Sequence, residues 1–282
     1  MNPLDIKKKI LIFIPAYNVE KEIFLVIQKI PKEIINKNLI KILIVNDFSS
    51  DNTAKEIEKI LEKFKYSFEV YNSKSNLGYG GVQKYAFQYA IDNSFEYIIM
   101  LHGDGQYAPE VLPDFIEKFQ DESLDAIFGS RMMSYKSALK GGMPFYKFLG
   151  NIILTKIQNF LLNTKLAEFH TGYRIYSINS LKNIPFHLNT NDFHFDTEIL
   201  IQLFIVNSKI KEISIPTFYG DEICHVNGIK YAFDIILTTS IASLQTNFNL
   251  KLSKQYKKNN QLKKIYKNPI MDKLLVEARK RN

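Results

Sequence analysis

The sequence predicts an α/β protein built on a doubly wound, Rossmann-like sheet with helices on both faces. Three observations carry this. Residues 10–14, 40–45 and 98–101 are continuous apolar runs without polar alternation, the pattern of strands covered on both faces. Segments with apolar residues at helical spacing lie between them. Each run stops at a polar loop, and in a β-α-β-α-β-α-β order those loops share one sheet edge, where open α/β sheets bind ligands. At 282 residues, 46% hydrophobic and 23% charged, the chain suffices for one large domain or two small ones.

Taken in order, Ile10-Leu11-Ile12-Phe13-Ile14 is the first strand, ended by Pro15-Ala16-Tyr17-Asn18. Glu20 and Glu22 open a helix with Ile23, Val26, Ile27 and Ile30 on one face, and Pro31 closes it. The second strand runs into Asn46-Asp47-Phe48-Ser49-Ser50-Asp51-Asn52-Thr53, whose amides and hydroxyls suit a turn and a helix N-cap. A helix at 54–64, a short strand at 68–71 and the loop Asn76-Leu77-Gly78-Tyr79-Gly80-Gly81 precede a helix at 82–92. The fourth strand, from 97, runs into His102-Gly103-Asp104-Gly105-Gln106, where two glycines free the backbone around a carboxylate. The second half is less regular. It reads as a helix at 109–119, a strand at 126–129 ending in Ser130-Arg131, a glycine loop at 140–144 and a long helix at 145–162. A polar stretch at 168–174, a strand at 175–178, a helix at 196–207, a strand at 211–215, a polar loop at 219–228 and a helix at 229–248 complete it. The helices at 145–162 and 229–248 are apolar around much of their surface, which suits core packing or, alternatively, interfacial membrane contact.

Composition bounds the function. Cys224 is the single cysteine, which excludes an internal disulfide framework and fits a reducing compartment. No run is apolar for the roughly 18 residues a transmembrane helix needs, and the N-terminus lacks a signal-peptide core. The expected location is cytoplasmic, peripheral at the inner membrane face. The net charge of +8 sits in the tail: residues 251–282 hold eleven Lys/Arg against Asp272 and Glu277. An anionic membrane surface suits that tail better than nucleic acid, because only Tyr256 and Tyr266 offer stacking there.

Asp104 is held at the end of a buried strand with His102 two residues earlier, so the expected ligand is a hard divalent cation, Mg²⁺ or Mn²⁺, neutralising a diphosphate. Tyr17, Asp47 and Asp104 should converge at one edge.

In order and spacing, a set of motifs resembles the family 2 glycosyltransferases with the GT-A fold, in the branch that includes dolichyl-phosphate mannose synthase. They are Ile14-Pro15-Ala16-Tyr17-Asn18, Val45-Asn46-Asp47-Phe48-Ser49-Ser50-Asp51-Asn52-Thr53, Asn76-Leu77-Gly78, Gly103-Asp104-Gly105-Gln106-Tyr107-Ala108-Pro109-Glu110, Gly129-Ser130-Arg131 and Thr171-Gly172-Tyr173-Arg174. The resemblance implies an inverting transfer from a UDP- or GDP-linked sugar to a polyprenyl phosphate or a saccharide, in cell-surface glycan synthesis. It implies a GT-A domain over 1–250, with a nucleotide half to 107 and an acceptor half after it, and a basic tail at 251–282. Pro15, Tyr17, Asn18 and an acid, Glu20 or Glu22, would line base and ribose. Asp47 would bond the base, with Asn46 where the family often has a second Asp, and Gly78 and Gly103 would complete the nucleotide site. Asp104 fills the second acidic position of the metal-binding Asp-X-Asp motif; His102 stands at the first, and His225 is a candidate late metal ligand. Arg131 and Arg174 would meet phosphate, Glu168 would be the general base, and Gln106, Asp196 and Glu198 would meet sugar or acceptor. Two other readings remain: a sugar nucleotidyltransferase, whose glycine- and lysine-rich first loop Pro15-Ala16-Tyr17-Asn18 does not match, and a non-catalytic nucleotide-sugar-binding module, which the His102 departure allows.

Overall fold

The computed structural model describes residues 7–35, 39–121, 124–217, 219, 226–257 and 271–273. The first half alternates strands Ile10–Ala16 (β1), Ile40–Asn46 (β2), Phe68–Ser73 (β3) and Tyr97–Met100 (β4) with helices Ile23–Lys29 (α1), Lys32–Ile35 (α2), Thr53–Lys63 (α3) and Tyr79–Asp92 (α4). The second half follows as Leu112–Asp121 (α5), Ala126–Ser130 (β5), Tyr135–Lys140 (α6), Phe145–Leu162 (α7), Arg174–Ser177 (β6), Ile178–Lys182 (α8), Phe195–Ile205 (α9), Ile210–Ser214 (β7), Gly228–Phe248 (α10) and Met271–Lys273 (β8).

These strands make one sheet in the order β7-β5-β6-β4-β1-β2-β3-β8. β1 pairs in parallel with β2 and β4, and β2 with β3. β6 is inserted between β4 and β5 and runs antiparallel to both, so the sheet is mixed. Along β1, Ile10, Ile12 and Ile14 pack under α1, α3 and α5, while Leu11 and Phe13 pack under α4 and α9. The continuous apolar run thus feeds two cores at once, as expected of a strand with helices on both faces.

Three short helices were not legible in the sequence. α6 and α8 exist because Ser134 and Ser177 accept a bond from the backbone N–H three residues on, and α2 is a single turn after Pro31. The helix read from 109 opens with a 3₁₀ turn, Pro109–Val111, before α5. Two parts of the basic tail pack on the domain. Tyr256 is buried and bonds the Thr238 hydroxyl of α10, and Gln255 Nε2 donates to Glu198 Oε1 at 2.9 Å. β8 adds antiparallel to β3, with Asn72 opposite Asp272. Among the described residues no helix is long and apolar enough to cross a membrane.

Candidate active site

The loops that end β1, β2 and β4 form one side of a large cleft, about 2330 Å³ in volume. Pro15, Tyr17, Asn18, Glu20, Glu22, Asp47, Gly78, His102, Gly103, Asp104 and Gln106 all line it, so the expected convergence of Tyr17, Asp47 and Asp104 is found. The opposite side comes from α7 and α10, through Tyr146, Ile153, Ile229 and Tyr231.

The first two loops are laced together. Asn18 sits at φ +52°, accepts from Ser50 N at 2.8 Å and receives no strain from a β-branched side chain. Thr53 Oγ1 accepts from Val19 N at 2.8 Å, and Glu20 Oε2 accepts from Asn52 N at 2.7 Å. Burial alone would raise Asp51, but bonds from the Thr53 hydroxyl, Thr53 N–H and Glu20 N–H outweigh it and hold its carboxyl low. Glu22 goes the other way: burial pushes it up, and the nearby Asp104 and Asp51 charges add to the effect.

Asp47 organises the third loop. Its Oδ1 accepts from Leu77 N at 2.7 Å and its Oδ2 from Gly78 N at 3.0 Å. Burial raises its carboxyl despite both bonds. Gly78 lies at φ +79°, and a Cβ there would meet Asn191 O at 2.6 Å, so only glycine fits the position. Asn46 is placed otherwise than the resemblance implies. It is buried, its amide donates to Asn72 Oδ1 at 2.9 Å, its Oδ1 accepts from Ser49 N at 3.2 Å, and it does not line the cleft.

At the end of β4, Asp104 Oδ1 accepts from Gln106 N at 3.1 Å. Its Oδ2 lies 3.9 Å from His102 Nδ1, and its side chain is one-third exposed (33%) to the cleft. Burial opposes ionisation of Asp104, but His102 and the Gln106 N–H outweigh it and hold the carboxyl below its ordinary range. An ionised oxygen with an imidazole nitrogen this close could hold a divalent cation, the carboxylate suiting either Mg²⁺ or Mn²⁺ and the imidazole favouring Mn²⁺. His102 Nε2 meets the Tyr79 hydroxyl at 3.3 Å, which fixes the ring.

Several residues expected at phosphate, sugar or proton transfer are committed elsewhere. Glu168 is fully buried and does not line the cleft. Its carboxylate accepts from Arg131 N at 2.6 Å, Arg131 Nε at 2.9 Å, the Arg131 terminal nitrogen and Asn151 Nδ2 at 2.8 Å. Burial would raise it, but the Arg131 charge and those bonds hold it low, the opposite of a general base reaching for a proton. Arg174 is likewise fully buried, away from the cleft. It donates to the carbonyls of Thr171 at 2.7 Å, Phe169 at 2.8 Å and Asp196 at 2.9 Å, and so braces the backbone instead of meeting phosphate. Glu198 holds Thr190 N at 2.7 Å and is also outside the cleft. Arg131 and Asp196 do line it. Arg131 is tied to Glu168 and to the Tyr219 hydroxyl at 3.0 Å, while Asp196 accepts from Tyr79 at 2.7 Å and Gln83 at 3.0 Å. His225 lies outside the described residues.

The structure adds residues that sequence reasoning missed. Tyr79 joins Asp196 and His102 beneath the cleft and stacks on Phe193 at 5.4 Å. His170 lines the cleft, with Nδ1 3.2 Å from the Tyr231 hydroxyl of α10 and Nε2 buried without a hydrogen-bond partner. Burial pushes its pKa down to about 4, so the ring is neutral. Neither residue carried a local signal beyond lying in the Asn76-Leu77-Gly78 and Thr171-Gly172 neighbourhoods. Asp192, which lines the cleft, His194 and Asp234 place ligand atoms within 4.8 Å of one another. The Lys230 ammonium already sits among them, 2.5 Å from Asp192 and 3.0 Å from Asp234.

The model of the family described as glycosyl transferase family 2 matches residues 11–184. The chain belongs to glycosyl transferase family 2. This transferase is similar over 74% of its length to an uncharacterised protein of Methanocaldococcus jannaschii, at 29% identity and 88% of that protein. It is 28% identical to the UDP-N-acetylglucosamine–dolichyl-phosphate N-acetylglucosaminyltransferase of Methanococcus voltae, covering 76% of this chain and 87% of that one. It is 24% identical to the polyprenol monophosphomannose synthase of Mycolicibacterium smegmatis, over 63% and 64% of the two chains. Among solved structures, glucosyl-3-phosphoglycerate synthase of Mycobacterium tuberculosis with Mn²⁺, UDP and phosphoglyceric acid superposes with a TM-score of 0.57 at 13% identity, over 85% of the transferase and 78% of that chain. The fold is therefore GT-A, as the motifs implied.

Proposed function

We propose that this family 2 transferase moves a sugar, with inversion, from a UDP- or GDP-sugar to a polyprenyl phosphate. The supporting observation is the cleft itself. Its polar side carries the loops expected at the nucleotide, its floor carries Asp104 and His102, and its far side is made of α7 and α10. Pro15, Tyr17, Asn18 and Glu20 receive base and ribose, while Asp47 acts on the donor by holding Leu77 and Gly78 in place. Asp104 and His102 would hold Mg²⁺ or Mn²⁺, which when bound supplies charge neutralisation for the diphosphate leaving group. Arg131, clamped by Glu168, faces the same space with a fixed positive charge. The acceptor oxygen bonds the anomeric carbon as the bond to the diphosphate breaks, and the electron pair leaves with the nucleoside diphosphate.

The lock on Glu168 favours a phosphate acceptor over a saccharide. A hydroxyl needs a base to take its proton, whereas a phosphate oxygen is already anionic. The M. voltae and M. smegmatis relatives, named for dolichyl-phosphate and polyprenol acceptors, support the same choice.

The test incubates labelled UDP- and GDP-sugars and Mn²⁺ with short-chain polyprenyl phosphate and, in parallel, with oligosaccharide acceptors, then extracts lipid. Label should enter the organic phase, and Asp104→Asn should cut that transfer at least about a hundredfold with unchanged melting. A wild-type rate in Asp104→Asn would overturn the metal assignment. Label passed only to saccharides would overturn the lipid acceptor.

A further inference from the structure

α7 and α10 bury mostly polar residues. α7 turns Asn151, Thr155 and Gln158 inward beside Phe148, and α10 turns Thr238, Thr239, Ser243 and Gln245 inward beside Ile235 and Ala242. Gln158 and Thr239 are buried without a hydrogen-bond partner for Nε2, Oε1 and Oγ1. The outward faces are the apolar ones. α7 exposes Phe145, Tyr146, Leu149, Ile153 and Phe160, at intervals of three, four or seven residues along one stripe beyond its first turn. α10 exposes Ile229, Phe233, Ile236, Leu237, Leu244 and Phe248 on a stripe of its own, with Phe160 85% and Ile229 87% accessible. A helix of a water-soluble protein shows the reverse distribution, apolar residues inward and polar residues outward. Single exposed apolar side chains mean little, but two packed helices that each expose a long apolar stripe over a mostly polar buried face mark a surface meant to meet an apolar phase.

The two stripes flank the mouth of the cleft. Tyr146 and Ile153 of α7 and Ile229 of α10 are exposed and also line it. Lysines border the same face, Lys147 and Lys156 on α7, with Lys251 and Lys254 following α10, while Lys230 is held by Asp192 and Asp234. Aromatic and aliphatic groups with lysines on the same helices and just after them fit the boundary between acyl chains and anionic headgroups, with the helices lying in the plane instead of crossing it. A second copy of this chain would bring like-charged rims together, which disfavours it as the occupant.

We propose that the α7–α10 face docks this protein on an anionic lipid bilayer, with the cleft opening at the membrane surface. The placement differs from docking by the basic tail alone, since Tyr256 and β8 tie parts of that tail to the domain. If the acceptor is a polyprenyl phosphate, as proposed above, it reaches Asp104 without leaving the bilayer; the docking face itself does not depend on that reading.

Flotation with phosphatidylcholine vesicles, with and without phosphatidylglycerol, tests the face without donor or acceptor. Wild type should float with the anionic vesicles. The variant Phe145→Ser/Phe160→Ser/Phe233→Ser should lose at least tenfold in partitioning with unchanged melting, because none of these rings is in the core or lines the cleft. Replacing Lys263, Lys264 and Lys267 by Gln should weaken flotation less than the triple change. The proposal is overturned if the triple variant floats like wild type, if the lysine variant alone abolishes flotation, or if wild type stays with the buffer as a dimer that the triple change splits. A thermal shift by UDP or GDP with Mn²⁺, measured without vesicles, reports on the transferase reading separately.

Discussion

Replacing Glu168 by Gln separates two roles for this residue. Glu168 is fully buried and closes on Arg131 through the backbone N–H, Nε and a terminal nitrogen. Gln keeps the shape and one acceptor oxygen, but leaves the buried guanidinium without its counter-charge. Removing one partner of a buried pair costs about 3–5 kcal/mol, and the retained bonds place this change near ~3 kcal/mol. Unfolding entropy of about 2.1 cal/mol/K per residue gives roughly 0.6 kcal/mol/K for a chain this long, so melting should fall by about 5 °C. The pH dependence has a definite sign. Glu168 is held below its ordinary range in the folded state. Its contribution is present above the unfolded glutamate value and fades as pH falls through the folded one, so the melting gap between wild type and variant should narrow in acid. Differential scanning fluorimetry from neutral to acid pH measures this. A variant that melts like wild type at all pH values, yet loses turnover with unchanged donor KM, would refute the structural role and restore Glu168 as a base.

Gly78→Ala should lower melting and weaken nucleotide binding together, because its φ of +79° and the 2.6 Å approach to Asn191 O leave no room for Cβ; isothermal titration with UDP and GDP would show it, and wild-type affinity would count against the loop geometry. His170 should stay neutral across the physiological range, since burial holds it near about 4. An unfolded imidazole takes up its proton near 6.5, so stability should fall as pH drops between those values. A ring resonance titrating near 6.5 in the folded protein would contradict that.

The legible parts of the fold were those set by local chemistry. β1, β2 and β4 show in the sequence because central parallel strands need apolar residues on both faces. The antiparallel entry of β6 between β4 and β5 does not show, because strand direction is fixed by pairing partners far away in sequence. The same divide runs through the site. Asp104 could be placed at the sheet edge because glycines mark its loop, and Asp47 because a polar run follows an apolar one; both line the cleft. Glu168 and Arg174 were misplaced because a motif position says nothing of burial. Three inward carbonyls, of Phe169, Thr171 and Asp196, draw Arg174 into the interior. Tyr79 and His170 were missed because their roles arise from partners on α9 and α10.

The pairing of β8 with β3 gives the last described segment a protective duty. Without it, β3 would end the sheet, and an outer strand with unpaired N–H and C=O groups is a template for another molecule's backbone. The opposite border, β7, already carries Lys211, a charge that discourages such recruitment. Trimming this protein to the end of α10 would therefore do more than remove positive charge: it would bare a strand that the full chain keeps covered.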